Sequence, residues 1–333
     1  MSVAEFAEAN FSRATAAGLD AHEYRRVTAG LASLDDWPDA FVRAGRRHLD
    51  LARTAASAVS AGEHHRTAAR WFHFAALVPH PDRALAALAA AEADAAMGRA
   101  LEVLEPEARR IEGPGFTGRL RGPADAAATV VIVPGMDSGK EEFHAVADTF
   151  LRRGAAVFAM DGPGQGALAA TTVVRPDYHR VVGDVIDALG VEGIGLVGLS
   201  LGGYYAAESA ALEPRVRAAV TVSGPFRLDW DALPEFVHDT LTQRAGGAGA
   251  ARDFARHVDL TDLAPRIAVP LLVVDGGRDA IPGVVNGEPL ARLAPRGEYL
   301  LVPYADHLLG EAHPDWLPAA ADWLMARLGA PGR

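Results

Sequence analysis

One serine of this chain stands in a setting that suits a nucleophile. Ser200 is the centre of Gly-Leu-Ser-Leu-Gly at positions 198–202, between an apolar run and a helical stretch. A nucleophile on a sharp strand-to-helix turn needs small residues two positions before and after it, because the backbone there is crowded. The helix N-terminus behind it would stabilise the negative charge that develops during attack. An incidental serine in an ordinary turn is the alternative, and the predicted strand and helix favour the nucleophile.

A base and an acid should follow this serine, in the chain order acid and then histidine. His307 lies in a loop just after the last apolar run and would take the proton of Ser200 and return it to the leaving group. Two carboxylates leave the preceding run: Asp275 at its end and Asp279 beyond a Gly-Gly turn. We favour Asp279, which lies in a loop that can reach His307. Asp275 can instead stabilise the turn through its own backbone.

Hydrolysis of a carbonyl compound through such a serine also needs donors for the oxyanion. The run 129–133 leads into Pro-Gly-Met-Asp-Ser at 134–138. We expect the backbone N–H groups of Met136 and Leu201 to hold the oxyanion. A plain turn at Pro134-Gly135 is the alternative.

The elements that must position these residues change in character near residue 105. Before it, the sequence is rich in alanine and predicts helices over 38–60, around 68–74 and over 83–104, with a break at Ala61-Gly62. After it, a hairpin (109–112 and 118–121) precedes apolar strands at 129–133, 155–159, 193–199, 218–222, 271–274 and 299–302. Helices are predicted at 141–153, 178–189, 201–212 and 314–328. Strands that are apolar on both faces indicate a parallel sheet covered by helices, with its chemistry at the carboxyl ends of the strands.

Composition limits the classes of function. The net charge is −11 without a basic cluster, which argues against nucleic acid or an anionic membrane as a partner. The absence of cysteine excludes disulfides and thiolate metal sites, and no histidine spacing suggests a metal. No apolar run spans a bilayer and the N-terminus lacks a signal-peptide pattern, so a cytoplasmic protein is expected. We expect no cofactor, a small-molecule substrate and, at most, a homodimer.

Three segments together carry a resemblance to a known family. They are Gly-Met-Asp-Ser-Gly-Lys-Glu-Glu at 135–142, Asp-Gly-Pro-Gly-Gln-Gly at 161–166 and Ser-Leu-Gly-Gly-Tyr at 200–204. The chain resembles the 2,6-dihydroxypseudooxynicotine hydrolase group of the α/β-hydrolases. The resemblance implies an α/β-hydrolase fold over 106–333, an all-helical N-terminal domain over 1–105 and a small lid at about 226–260. It also implies a triad of Ser200, Asp279 and His307.

The resemblance further implies an acidic fourth residue, Asp137, beside the oxyanion hole. The alternative is that Asp137 caps the helix predicted to begin at Glu141, although Ser138 could serve as that cap. Substrate contacts are expected from the helical domain and from Tyr204, Phe226, Trp230 and Phe236. The lid aromatics could instead simply cover the edge of the sheet, and the helical domain could be a packing scaffold.

The expected function is that of a serine hydrolase acting on a small carbonyl or ester metabolite. Relatives in the family include hydrolases that shorten polyketide chains and enzymes that eliminate acetate from acetylated tetronates, so C–C bond hydrolysis or cleavage of an acetate ester in specialised metabolism is implied. Two alternatives stay open: a lyase that eliminates acetate on the same scaffold, and a ligand receptor without enzymatic activity.

Overall fold

The computed structural model describes residues 2–79 and 83–329 of the chain. Its N-terminal part is helical up to Leu104, and its first strand begins at Arg109. The helices of this part are α1 (Val3–Ala9), α2 (Phe11–Ala16), α3 (Ala21–Thr28), α4 (Trp37–Thr54), α5 (Ala58–Ala75) and α6 (Arg83–Leu104). The first three helices have no counterpart in the sequence-based prediction.

The predicted break at Ala61-Gly62 is wrong. Helix α5 runs through both residues, and the chain turns earlier, between Thr54 and Ala58. Ser57 caps α5 there by accepting a hydrogen bond from the backbone N–H of Ser60 at 3.1 Å. Gly62 is a packing residue rather than a breaker, because a Cβ at this position would lie 2.9 Å from Cγ of Leu104 on α6.

The rest of the described chain is built on one eight-stranded sheet. Its strands are β1 (Arg109–Gly113), β2 (Phe116–Arg121), β3 (Thr129–Val133), β4 (Ala156–Asp161), β5 (Ile194–Leu199), β6 (Val216–Val222), β8 (Leu271–Gly276) and β10 (Gly297–Val302). The order across the sheet is β1-β2-β4-β3-β5-β6-β8-β10. β2 pairs antiparallel with β1 and β4, and the strands from β4 to β10 are parallel. Two short strands, β7 (Arg227–Leu228) and β9 (Val284–Val285), pair separately.

Helices cover both faces of the sheet. They are α7 (His144–Leu151), α8 (Tyr178–Leu189), α9 (Leu201–Leu212), α12 (Glu288–Leu293) and α13 (His313–Arg327), while α10 (Glu235–Ala245) and α11 (Ala248–His257) lie in the segment predicted as a lid. Successive residues of one strand point to opposite faces. Val131 and Val133 therefore join one apolar core with α8 and α9, whereas Val130 and Ile132 join the other with α7 and α13. This arrangement confirms the predicted α/β-hydrolase fold.

The helix predicted at 141–153 is shorter than expected and begins only at His144. Residues 140–143 form turns, because their polar groups are bound elsewhere. The backbone N–H of Lys140 donates to Asp161 at 2.8 Å, and its ammonium group lies 2.6 Å from the same carboxylate. Asp137 therefore lies well before the helix, and the alternative that it caps this helix is wrong.

The segment predicted as a lid folds into β7, α10 and α11 above the carboxyl ends of the strands. Phe236 of α10 also contacts the helical part, with its ring centroid 5.2 Å from that of Phe6. Among the helices in the described ranges, none is both long and apolar enough to cross a bilayer.

Candidate active site

Ser200 occupies a strained turn between β5 and α9. Its φ is 54° and its ψ is −128°, a combination that is costly for a residue with a side chain. Its backbone N–H donates to the carbonyl of Val222 at 2.8 Å, which ties the turn to β6. The flanking glycines are required by space: a Cβ on Gly198 would lie 2.0 Å from the carbonyl oxygen of Gly202, and one on Gly202 would lie 2.2 Å from that of Val133. The Gly-x-Ser-x-Gly pattern thus has a steric cause.

The structure brings Ser200, His307 and Asp279 together. Nε2 of His307 lies 2.9 Å from Oγ of Ser200, and its Nδ1 lies 2.8 Å from Oδ2 of Asp279. An N–H at Nδ1 that donates to the buried carboxylate leaves Nε2 free to accept the serine proton. Ser200 lies in the turn after β5, Asp279 in the loop after β8 and His307 in the loop after β10.

Asp275 faces away from this chain of contacts. Its Oδ2 accepts hydrogen bonds from the backbone N–H of Gly287 at 2.9 Å and the hydroxyl of Tyr299 at 3.3 Å. Burial, and then the nearby Asp279 carboxylate, raise the pKa of Asp275 to about 6 despite these two donors. Its contacts are those of a residue that holds the segment before α12 to the end of β8.

The two expected oxyanion donors border the same space as the serine. Met136 and Leu201 line one cavity with Ser200 and His307. Within the described ranges, neither backbone N–H donates to a protein acceptor. Leu201 is the first residue of α9, where the N–H groups have no acceptor within the helix. Both groups are therefore available to a bound oxygen atom.

The cavity has a volume of about 410 Å³ and an apolar wall. The wall comes mainly from the lid and from the loop after β8, and its residues are Pro225, Leu228, Pro234, Phe236, Val237, Leu241, Phe254, Ala280, Ile281, Pro282, Val284 and Leu308. Its polar end carries Asn10, Arg13 and Asp137 in addition to the serine and histidine. In the two described stretches of the chain, no group of three or more His, Asp or Glu side chains could hold a metal ion.

Only one of the four expected substrate contacts borders this cavity, and it is Phe236. Phe226 lies in the apolar core beneath the lid, as the alternative of simple coverage predicted. Trp230 stacks on His238 with a centroid distance of 4.3 Å and borders a separate surface depression. Tyr204 is buried on α9, and its hydroxyl donates to the carbonyl of His257 at 2.8 Å. The structure therefore gives Phe226, Trp230 and Tyr204 packing roles.

Asp137 is held by a residue that sequence reasoning missed, Arg13 of α2. The guanidinium donates to both carboxylate oxygens of Asp137 at 3.1 Å, to Oγ of Ser138 at 3.0 Å and to both oxygens of Glu142 at 2.6 and 2.8 Å. Nε2 of His73 also lies 2.9 Å from Glu142. The helical part of the chain thus reaches the cavity, and the guanidinium of Arg13 fixes the position of the Asp137 side chain.

Burial disfavours the charged forms of Arg13 and Glu142, but the attraction between their opposite charges outweighs this effect. Burial alone would lower the pKa of Arg13, yet Asp137 and Glu142 raise it. Burial would likewise raise the pKa of Glu142, and the neighbouring Arg13 lowers it instead to about 2. Arg13 therefore carries a positive charge and Glu142 a negative one at neutral pH.

Ser223, at the end of β6, is a second residue that sequence reasoning missed. Its Oγ accepts a hydrogen bond from the backbone N–H of Leu308 at 3.0 Å. Leu308 and Leu309 both have positive φ, 68° and 50°, directly after His307. The serine thus fixes a strained loop that carries the histidine. Its position at a strand's carboxyl end was the one available signal.

A family model described as serine aminopeptidase, S33 matches residues 124–245. The 2,6-dihydropseudooxynicotine hydrolase of Paenarthrobacter nicotinovorans is 30% identical over 202 residues, which is 55% of this chain and 54% of the relative. The 20-hydroxy-prefusarin hydrolase of Gibberella moniliformis is 38% identical over 108 residues, or 28% of this chain and 25% of the relative. The chain thus spans about half the length of the first relative and about a quarter of the second.

Two solved structures extend the likeness to nearly the whole chain. The crystal structure of 2,6-dihydroxy-pseudo-oxynicotine hydrolase superposes with a TM-score of 0.84 and 24% identity, covering 96% of both chains. AbyA5 superposes with a TM-score of 0.71 and 20% identity, covering 92% of this chain and 94% of its own. At these identities the superpositions establish the fold. The chain therefore has the α/β-hydrolase fold and is similar to 2,6-dihydropseudooxynicotine hydrolase in sequence over about half of its length and in fold over nearly all of it.

Proposed function

We propose that this protein is a serine hydrolase that acts on a small carbonyl or ester metabolite. Ser200 is the nucleophile, His307 the general base and Asp279 the residue that orients the imidazole. The observation that carries the proposal is the pair of contacts at His307, 2.9 Å to Ser200 and 2.8 Å to Asp279, beside the largely apolar cavity that Ser200 and His307 line. Nucleophile and base within hydrogen-bond distance, with the base held by a third group, is the arrangement that activates a hydroxyl.

The reaction follows from the direction of these contacts. Oγ of Ser200 attacks the substrate carbonyl carbon while its proton passes to Nε2 of His307. The negative charge that moves to the carbonyl oxygen is stabilised by the N–H groups of Met136 and Leu201. The imidazolium returns the proton to the leaving group as the bond breaks, and water then hydrolyses the acyl-enzyme by the same steps in reverse order.

The cavity supports a substrate with an apolar body and one polar end. A volume of about 410 Å³ is within the range that accommodates small organic ligands. The names of the relatives favour a small metabolite as the substrate, because they include a 2,6-dihydropseudooxynicotine hydrolase and a 20-hydroxy-prefusarin hydrolase. The substrate is therefore proposed to be a ketone or ester of that size rather than a polymer.

Replacement of the nucleophile tests the proposal. Ser200→Ala should lower kcat by several powers of ten and abolish labelling by a fluorophosphonate, with the melting temperature little changed because alanine keeps the Cβ and the same backbone turn. Ser209 lies on α9, the helix that follows Ser200, but does not line the cavity, so Ser209→Ala should retain full turnover. A Ser200→Ala enzyme with more than a tenth of wild-type turnover would exclude covalent catalysis at this residue. A wild-type protein that is neither labelled nor active would favour the ligand receptor.

A second candidate function is a lyase that eliminates acetate from an acetylated substrate. The observation that favours it is the carboxyl group of Asp137 at the polar end of the cavity, since simple ester hydrolysis needs no such group. Asp137 would accept a hydrogen bond from a hydroxyl group of the substrate, or take up a proton from the substrate. Hydrolysis in ¹⁸O-labelled water places solvent oxygen in the acid product, whereas acetate released by elimination contains none.

The role of Asp137 can be separated from that of the triad. Asp137→Asn should strongly impair turnover of the native substrate and spare p-nitrophenyl acetate, a small activated ester that needs no help from this residue. Equal loss of both activities would place Asp137 in the hydrolytic step itself. Survival of both, with only a lower melting temperature, would remove the support for the elimination and C–C cleavage alternatives.

A further inference from the structure

Gln165 is a fully buried amide between β4 and the loop that carries Met136. It belongs to the Asp-Gly-Pro-Gly-Gln-Gly segment at 161–166, which the catalytic steps above leave unexplained. Its Nε2 donates to the carbonyl oxygens of Pro134 at 2.6 Å and Gly135 at 3.1 Å. Its Oε1 accepts from the backbone N–H of Gly162 at 2.9 Å and from the hydroxyl of Tyr178 at 2.8 Å.

The orientation of this amide is determined by its neighbours. A backbone N–H can only donate, so the atom that faces Gly162 must be the amide oxygen. The nitrogen must then face Pro134 and Gly135, whose carbonyls can only accept. Both hydrogens of the amide nitrogen are thus directed at the loop before Met136.

Those two carbonyls include the one that shares a peptide unit with the proposed oxyanion donor. The C=O of Gly135 and the N–H of Met136 belong to the same planar trans unit and point in opposite directions. A hydrogen bond that fixes the carbonyl therefore also fixes the direction of the N–H. Donation to the carbonyl oxygen also polarises the peptide and strengthens its N–H as a donor.

We propose that Gln165 is a positioning residue that orients the Met136 N–H toward the oxyanion. The inference rests on the proposed function, in which that N–H stabilises the tetrahedral intermediate. It assigns the glutamine of the 161–166 segment a role in transition-state stabilisation, exerted through the peptide of Gly135 and without contact to the substrate.

Gln165→Glu is the sharpest test, because glutamate keeps the size of the side chain and the acceptor for Gly162 and Tyr178. It lacks the two N–H donors, and because burial beside two carbonyl oxygens favours the protonated acid, it can donate at most one hydrogen bond in their place. We expect kcat for p-nitrophenyl acetate to fall about ten- to a hundredfold, less than the full loss of an oxyanion donor, with KM within about twofold of wild type. The inhibition constant of a small trifluoromethyl ketone, which forms an oxyanion on the serine, should rise by a similar factor.

Thr172→Val is the matched control. Thr172 stabilises the same turn, since its Oγ1 accepts from the backbone N–H of Gly164 at 2.9 Å, but it does not contact the loop before Met136. This variant should lose thermal stability and retain wild-type kcat and ketone affinity. Gln165→Met, which is apolar and of similar length, replaces Gln165→Glu if the glutamate variant does not fold.

The outcomes separate this inference from the proposed function. A folded Gln165 variant with wild-type kcat and ketone affinity, and only a lower melting temperature, would overturn the positioning role. Parallel loss of kcat and ketone affinity without loss in Thr172→Val supports it. Failure of a fluorophosphonate to label Ser200 in the wild-type protein would instead overturn the proposed function, and this inference with it.

Discussion

Asp275, at the end of β8, and Asp279, in the loop after it, are four residues apart and have different surroundings. Asp279 contacts Nδ1 of His307 at 2.8 Å, whereas the hydrogen bonds of Asp275 go to Gly287 and Tyr299. Their types and spacing in the sequence could not separate them, and the favoured choice rested on how loops of this fold are usually arranged. The contacts now give each of them a different expected phenotype.

Asp279→Asn should lower kcat by about three to four powers of ten, because an amide can donate to Nδ1 and so stabilise the wrong tautomer of His307. The melting temperature should change little. Steady-state kinetics on p-nitrophenyl acetate measure the effect, with Asp275→Asn as the comparison variant. If Asp275→Asn loses more activity than Asp279→Asn, the acid of the triad is Asp275.

Asp275 should make stability depend on pH. Its pKa is raised from 3.8 to about 6 in the folded protein, so the folded state binds the proton more tightly than the unfolded state does. The contribution of this group to the free energy of unfolding is therefore greatest below about pH 4 and decreases as the pH rises to about 6. Urea denaturation across this interval should show a weaker dependence on pH in Asp275→Asn than in the wild type. An unchanged slope would show that Asp275 ionises normally.

Sequence reasoning found the residues whose chemistry is local and missed those that act across the fold. Ser200 and His307 are recognisable because the signals that mark them, the flanking glycines of a turn and the end of an apolar strand, lie close to them in the sequence. Arg13 lies more than a hundred positions before its partners Asp137 and Glu142, and its type occurs throughout the chain. Nothing in a single sequence distinguishes such a pairing before the fold brings the residues together.

At the scale of elements, the predicted bounds of β3 and of the helices α8 and α9 match the structure to the residue. A parallel strand covered on both faces is an uninterrupted apolar run, so β3 at 129–133 could be located to the residue. Elements whose ends depend on tertiary contacts were placed less well. Gly62 reads as a breaker but packs against Leu104, and the start of α7 is delayed by the ion pairs of Lys140 and Glu142.

The lid also shows that features which depend on tertiary contacts are hard to predict from the sequence. Of the three lid aromatics expected to face the cavity, Phe226, Trp230 and Phe236, only Phe236 does so, whereas Phe254 lines the cavity without having been expected to. Which side of a short helix or turn faces the substrate depends on how the segment packs on the sheet. Trp230, for example, is held outside the cavity by stacking on His238.

Helix α2 should be essential for the integrity of the cavity through Arg13. Arg13→Met would leave Asp137 and Glu142 buried without their cation, and the loss of one partner from a buried ion pair costs about 3–5 kcal/mol. We expect a large decrease in the free energy of unfolding, measured by urea denaturation. Arg53→Met is the control, because Arg53 pairs with Asp50 on an exposed surface and should change stability by less than about 1 kcal/mol.

A double-variant cycle tests whether the cost arises from the orphaned charge. Glu142→Gln removes one of the two carboxylates that Arg13 neutralises. If the orphaned charge is the cause, Arg13→Met combined with Glu142→Gln should be more stable than the sum of the two single losses predicts. Strict additivity would show that the arginine contributes through packing alone.

At the scale of the whole molecule, charged pairs join the helical part to the sheet at several separate places. Asp94 of α6 pairs with Arg110, Arg119 and Lys140, and burial, which would raise its pKa, is outweighed so that the pKa falls to about 2. Glu105, just after α6, pairs with Arg121 on β2 at 2.7 Å. With the pairs of Arg13, these contacts join the helical part to the rest of the described chain at three places.

Close packing accompanies the charges. Gly310 lies so near the backbone of Ser12 that a Cβ would be 2.8 Å from its carbonyl oxygen, and Phe236 packs against Phe6 of the helical core. Unfolding of the helical part alone would expose both the apolar surfaces and the paired charges, and would remove Arg13 from the cavity. Neither part can therefore lose its structure without a cost to the other.

We accordingly expect the chain to unfold in one cooperative transition. Trp37 and Trp71 lie in the helical part, whereas Trp316 lies in the core beneath the sheet, so tryptophan fluorescence reports on both regions. Fluorescence, far-UV circular dichroism and loss of esterase activity should share one midpoint in urea, and the calorimetric enthalpy should equal the van't Hoff enthalpy. Arg13→Met should shift this single transition as a whole, because its lost contacts lie between the two parts. Two separate transitions, with only the first displaced by Arg13→Met, would show that the helical part folds as an independent unit. The ion pairs across the interface would then contribute to the geometry of the cavity without coupling the stability of the two parts of the chain.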